Sequence, residues 1–291
     1  MEIIVDPRSG FCFGVKRAID MAEKEAVNGG KLFCLGEIVH NAEEIKRLTA
    51  LGIEFIDRTT YFKLSGCKVM IRAHGEPPET YKYAKENNIE LIDATCPVVL
   101  RLQDKIRAAQ SINPDAQIVI YGKHDHPEVV GLRGQVENTF IVETIDDLNK
   151  IDFNKPVFLF AQTTKNKMIF AAIREAIAAG MQKTGRKEDD LVVYNSICGQ
   201  VANRAPWLIE FSKSVDILIF VGGRNSSNSK MLFEVCRQHN RNAIFITQPE
   251  ELKNIQIRNY PKIGITGATS TPSWLIEAVA DYIRDIKLLP V

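Results

Sequence analysis

Short runs rich in Ile, Val, Leu and Phe alternate along this chain with longer stretches whose apolar residues recur at helical spacing. The short runs are apolar almost throughout, which is how a parallel strand covered on both faces reads. They fall into an order that repeats three times. The first unit is a strand, a tight turn, a Cys and a helix: 2–24, 90–109 and 191–213. The second is strand–turn–helix: 31–48, 117–132 and 216–236. The third is a strand with a short polar segment: 53–64, 139–151 and 243–255. The fourth is again strand–turn–helix: 68–86, 156–176 and 262–283.

The repeat is roughly 90 residues long, too long for a solenoid unit and suited to a small domain. Each copy supplies four strands, from its second, third and fourth units and from the run leading to the next Cys. The third copy lacks its last strand. The chain's own start, Glu2 to Val5, is the spare one, so the pattern predicts that it completes the third sheet and closes the chain into a ring. The fold class expected is α/β, in three small parallel-sheet domains. Their expected limits are 13–96, 97–197 and 198–291, the last completed by 1–12.

Composition narrows the function. Apolar residues make up 45% and charged residues 25% of the 291, ordinary values for a globular chain. Lys and Arg number 37 against 36 Asp and Glu, without a basic stripe, so nucleic acid is not an expected partner. No apolar run approaches the ~20 residues a bilayer-crossing helix needs. The start, MEIIVDPRSG, has no basic segment leading into an apolar one, so a cytoplasmic chain is expected.

Six cysteines are present, and no CxxC. In a chain without a secretion signal a disulfide framework is not expected. Cys12, Cys96 and Cys198 recur at matching repeat positions, each at a helix start. Three such thiolates can share a soft metal centre, either zinc with an open position or an iron–sulfur cluster. Cys34, Cys67 and Cys236 do not recur, and core packing or a plain surface thiol is expected of them.

Ligands of parallel α/β sheets bind outside the carboxyl ends of the strands. The loops there carry the three cysteines, then His40, His126 and Ser226–Ser227–Asn228, then His74, Thr163 and Ser270. Many of these residues can cap helices. Helix starts with hydroxyl and amide donors also suit an anion, and several aimed at one cavity would suit a diphosphate. No nucleotide-binding glycine pattern follows any strand, so flavin and nicotinamide have no visible seat. Glu128, in DHPEVVG, is the carboxylate closest to these donors. It reads either as a first-turn glutamate favoured by the helix dipole or as a general acid with a raised pKa. His124 and His239 are expected to be loop and surface residues.

At this point GFCFGVKRAI, the VHN turn, RAHG, DATCP, HPEV, AQTT, the Cys198 segment, NSSNS and GATSTP, in this order and nearly end to end, resemble the 4-hydroxy-3-methylbut-2-enyl diphosphate reductase family. Asp125 stands where family members commonly carry Gly. The resemblance implies a trefoil of three α/β domains around a 4Fe-4S cluster. Cys12, Cys96 and Cys198 would hold three irons, and the fourth would have no protein ligand. It implies an enzyme that uses two electrons and two protons to remove the allylic hydroxyl as water, giving isopentenyl and dimethylallyl diphosphate. The diphosphate would be held by His40, His74, His126, Ser226, Ser227, Asn228 and Ser270. Glu128 would be the proton donor and Thr163, with Thr164 beside it, its hydroxyl support. Electrons would come from an external donor such as flavodoxin or ferredoxin. Two other classes share these residues: a zinc hydrolase or transferase acting on phosphorylated metabolites, and an iron–sulfur sensor that binds an isoprenoid diphosphate.

Overall fold

The computed structural model describes residues 1–288, without the side chains of Ser227 and of 286–288. Among the described residues, twelve strands form three sheets of four. They are β1 (Glu2–Val5), β2 (Leu32–Leu35), β3 (Ile53–Ile56), β4 (Lys68–Ile71), β5 (Glu90–Asp93), β6 (Gln117–Tyr121), β7 (Thr139–Val142), β8 (Val157–Ala161), β9 (Leu191–Val193), β10 (Ile217–Val221), β11 (Ala243–Ile246) and β12 (Lys262–Gly267). The sheet orders are β3-β2-β4-β5, β7-β6-β8-β9 and β11-β10-β12-β1. One order therefore serves all three copies, and the outermost strand on one side is always the one that leads to a Cys. The spare strand β1 lies parallel to β12, with Glu2 opposite Lys262 and Val5 opposite Ile265, as its sequence position predicts.

The chain gathers into two compact units. One holds Met1–Lys31, Gly36–Phe55 and the chain from Asn203 on; the other holds Leu32–Leu35 and Ile56–Ala202. In the second unit, alternate residues of one sheet enter different cores. Val119, Leu159 and Ala161 pack with Ile173 and Ile177 of the helix Lys167–Lys183. Ile118, Ile120, Phe158 and Phe160 pack with Leu102 and Ile106 of the helix Pro97–Ile112 and Leu132 of the helix Pro127–Arg133. The first unit repeats this. Ile219 and Ile265 face Val279 and Ile283 of the helix Ser273–Leu288, and Leu218 and Phe220 face Leu208, Leu232 and Cys236. Burial on both faces explains why these strands show no polar alternation.

The Cys198 segment departs from the single helix its pattern predicts. A short helix, Gly199–Ala202, stops before Asn203, and a second runs Arg204–Lys213. Pro206 then falls in the first turn of the second helix, where its missing N–H breaks no hydrogen bond. Of the non-recurring cysteines, Cys34 and Cys236 are buried and Cys67 is packed beside a core, as expected. No disulfide links any of the six.

In the first unit, Asp6 ends β1 and starts the loop to Cys12. Its Oδ1 accepts from the Arg8 N–H (2.9 Å) and Trp207 Nε1 (2.8 Å). Its Oδ2 accepts from Arg204 Nη2 (2.7 Å) and Thr266 Oγ1 (2.6 Å). Asp6 and Arg204 are both buried. Removing one member of a buried pair leaves the other charged and desolvated. Asp6→Ala is therefore expected to destabilise the protein by about 3–5 kcal/mol in urea unfolding, and Asp6→Ala/Arg204→Met by less. A loss in the double variant equal to the sum of the Asp6→Ala and Arg204→Met losses would show that the pair is not coupled.

Candidate active site

All the loops singled out by the sequence leave carboxyl ends of strands. One backbone hydrogen bond recurs in them. The N–H of Cys12 donates to the Thr269 carbonyl (3.3 Å), that of Cys96 to Ala73 (3.0 Å) and that of Cys198 to Thr163 (2.8 Å). Each acceptor lies just past the strand that neighbours the Cys-bearing one. Cys12 and Cys96 are N-cap residues of the helices Phe13–Val27 and Pro97–Ile112, and Gly199 after Cys198 opens a helix. All three thiols are half-buried.

In the second unit, Glu128 is the second residue of the helix Pro127–Arg133 and is buried. Its Oε1 accepts from the Thr163 N–H and its Oε2 from Thr163 Oγ1, both at 2.7 Å. Burial pushes its carboxyl up from an ordinary value of 4.5 to about 7, and the two Thr163 hydrogen bonds oppose the rise. His126 caps the same helix, its Nδ1 accepting from the Glu128 N–H (3.2 Å). The His74 ring meets the His126 ring edge-on, with centroids 5.3 Å apart. Gly75 after it has φ +71°, and a β-carbon there would come within 2.7 Å of Gln103 Nε2, which accounts for the glycine of RAHG.

In the first unit, Asn41 caps the helix Ala42–Ala50 through the Glu44 N–H, beside the half-buried His40. The carbonyl of His40 lies so close to Gly223 that a β-carbon there would approach it to 2.0 Å. Gly223 of VGGRN thus serves loop contact. Ser226 caps the helix Ser227–His239 by accepting from the Ser229 N–H, and its Oγ lies 3.2 Å from Ser270 Oγ. Asn228 Nδ2 donates to Thr269 Oγ1 (3.0 Å). The side chain of Ser227 lies outside the described residues. His124 and His239 are exposed, as expected.

The pairs Glu128–Thr163 and Asn228–Thr269 are the same pair in two copies. Each joins the second residue of a helix to the Thr whose carbonyl holds a Cys. The sequence reading missed Thr269. Aligning the copies on the Cys hydrogen bonds exposes it, and makes Thr164 the counterpart of His74 and Ser270. Thr164 Oγ1 accepts from Gln162 Nε2 (2.9 Å).

The donor chemistry suits a soft metal centre. Burial holds the Cys34 and Cys236 thiols up at about 12 and about 11, so neither is a ready thiolate. Cys12, Cys96 and Cys198 are half-buried, each at a helix start. Among the described residues, no three His, Cys, Asp or Glu gather where one metal ion could sit.

Comparison with known proteins agrees with the repeated architecture. Residues 3–284 match the family described as LytB protein. The chain belongs to the LytB family. It is 47% identical over 287 residues to a 4-hydroxy-3-methylbut-2-enyl diphosphate reductase of Bacteroides thetaiotaomicron, covering 98% of each chain. It is 48% identical over 291 residues to the Porphyromonas gingivalis protein of that name, covering 98% of this chain and 99% of the other. A solved (E)-4-hydroxy-3-methyl-but-2-enyl diphosphate reductase, the terminal enzyme of the non-mevalonate pathway, superposes with a TM-score of 0.76 at 33% identity, over 98% of this chain and 99% of that one. The solved Plasmodium falciparum E-1-hydroxy-2-methyl-but-2-enyl-4-diphosphate reductase superposes with a TM-score of 0.81 at 28% identity, over 99% and 89%. The expected family and the three-sheet α/β fold hold. No helix among the described residues is long and apolar enough to cross a membrane.

The folded protein binds the Glu128 proton more tightly than the unfolded chain does. Glu128 therefore contributes stability that is complete below about pH 4.5 and is lost as the pH rises through about 7. Between about pH 5 and 8 the wild type is expected to lose roughly 2–3 kcal/mol more than Glu128→Gln in urea titrations. Parallel pH profiles for the two proteins would show that the acid is not buried as described.

Proposed function

We propose that this chain is an oxidoreductase of the 4-hydroxy-3-methylbut-2-enyl diphosphate reductase type, acting in the cytoplasm. It would remove the allylic hydroxyl of the substrate as water, with two electrons and two protons, to give isopentenyl and dimethylallyl diphosphate. One observation carries this reading. Thr163 ties a candidate cluster ligand to a candidate acid, since its carbonyl accepts from the Cys198 N–H while its N–H and Oγ1 both donate to Glu128.

Cys12, Cys96 and Cys198 would hold a 4Fe-4S cluster, with domains at 13–96, 97–197 and 198–291 plus 1–12. When bound, such a cluster supplies electrons and a Lewis-acidic iron without a protein ligand. The protein's own groups do the rest. Glu128 is held close to half-protonated near neutrality, so it can give a proton to the leaving oxygen and regain one between turnovers. The Thr163 hydroxyl fixes Oε2, and the Thr163 N–H fixes Oε1, so the acid keeps one orientation. Because His126 Nδ1 accepts a backbone N–H, its ring proton sits on Nε2 and can be offered to a phosphate oxygen. His40, His74, Ser226, Ser227, Asn228 and Ser270 would add further donors for the diphosphate. Neutral donors at helix starts bind the anion without adding full cationic charge near the acid, which would lower its pKa. The electrons would come from an external carrier such as a flavodoxin or ferredoxin.

Cys96→Ser is expected to abolish the visible absorbance, iron and acid-labile sulfide of anaerobically prepared protein; retention of a full cluster would remove Cys96 from the ligand set. Glu128→Gln is expected to keep the cluster and diphosphate affinity while turnover with dithionite-reduced methyl viologen falls about 100-fold or more. A near-normal rate would take the acid role away from Glu128. Absence of viologen-driven turnover in the cluster-loaded wild type would overturn the reductase reading itself.

A further inference from the structure

The loop after β8 sends its residues in two directions. Gln162 and Thr163 are buried, whereas Asn166, Lys167, Met168 and Ile169 are exposed in a row. Met168 is 81% and Ile169 45% exposed, side by side in the first turn of the helix Lys167–Lys183. Two large apolar side chains held in water at one helix start are a surface waiting to be covered.

Lysines stand around them. The backbone N–H groups of Lys123 and Lys165 both donate to Gln162, to its Oε1 and its carbonyl respectively, each at 3.1 Å. The charge of Lys123 acts on Lys165, whose Nζ lies 4.8 Å from the centre of the Tyr121 ring. Lys167 adds a third positive charge. Against them stand Glu143, whose charge also acts on Lys165, and Asp125 in the neighbouring turn, so three lysines face two carboxylates. An apolar centre with a basic surround fits an acidic protein surface, because complementary charge speeds encounter and the apolar contact lengthens it.

The same loop leads inward from this face. From Lys165 the backbone reaches Thr163 in two residues, and the Thr163 carbonyl accepts the Cys198 N–H at 2.8 Å. We propose that the Lys123–Lys165–Lys167 and Met168–Ile169 face of the second unit docks a small acidic electron-carrier protein and receives its electrons beside Cys198. This rests on the reductase reading above. Each carrier delivers one electron per encounter. Two reduced carriers, the allylic alcohol and two protons give two oxidised carriers, the deoxygenated diphosphate and water.

The test compares donors on the cluster-loaded enzyme. Lys123→Glu/Lys165→Glu/Lys167→Glu, and Lys123→Glu/Lys167→Glu, which leaves the half-buried Lys165 in place, are assayed at low ionic strength. The donors are an acidic flavodoxin and an acidic ferredoxin, each kept reduced, and in parallel dithionite-reduced methyl viologen. The expected result is a loss of about tenfold or more in kcat/KM for at least one protein carrier, viologen rates within about twofold of wild type, and a flattened salt dependence of the carrier reaction. Unchanged kcat/KM and salt dependence with both carriers would overturn the docking face. Equal losses with viologen and carriers would also overturn it, since the lysines would then support the fold and not the partner. A wild type inert with viologen would remove the reductase reading, and the docking face with it.

Discussion

The structure depends on a backbone hydrogen bond made three times. In each sheet the Cys-bearing loop is tied, through the cysteine's own N–H, to the turn that leaves the neighbouring strand. The bond is available because that neighbour is always the fourth-unit strand, an arrangement common to all three sheet orders. Side chains on the accepting turn therefore sit at a fixed step from a cysteine, whatever their chemistry. Thr163 and Thr269 thus share one position, as do His74, Thr164 and Ser270.

The two described Thr-centred pairs differ in a way that matters chemically. Asn228 offers Thr269 a neutral amide, whereas Glu128 offers Thr163 an ionisable carboxyl. An amide does not exchange a proton near neutrality, but burying a carboxylate favours its protonated form. The copy with the glutamate thus acquires a group that titrates near neutrality from the same backbone geometry. The hydrogen bonds from Thr163 keep its pKa from climbing so far that the proton could not leave.

Much of this was legible in the residues. Strands read as apolar runs because both faces are covered; Val119 and Ile120 are adjacent in sequence yet serve different cores. The spare strand Glu2–Val5 was found by counting strands per copy, and the cysteines by their recurrence. The break at Asn203 was not read, because Pro206 is compatible with a helix start as well as with a helix end, and only packing selects between them. Thr269 was missed, and Thr164 was placed beside Thr163 without its match to His74 and Ser270, because hydroxyl residues in turns look alike until a hydrogen bond gives the register.

The sequence by itself determined the number and kind of strands, their copy-to-copy order and which cysteines form a set, since these follow from periodicity and repetition along one dimension. Only the tertiary structure decided the pairing order of strands, the contact of His40 with Gly223 and the burial of Glu128 against Thr163. Those depend on which turns meet across a sheet, and the free energy that raises an acid's pKa belongs to its surroundings, not to its identity.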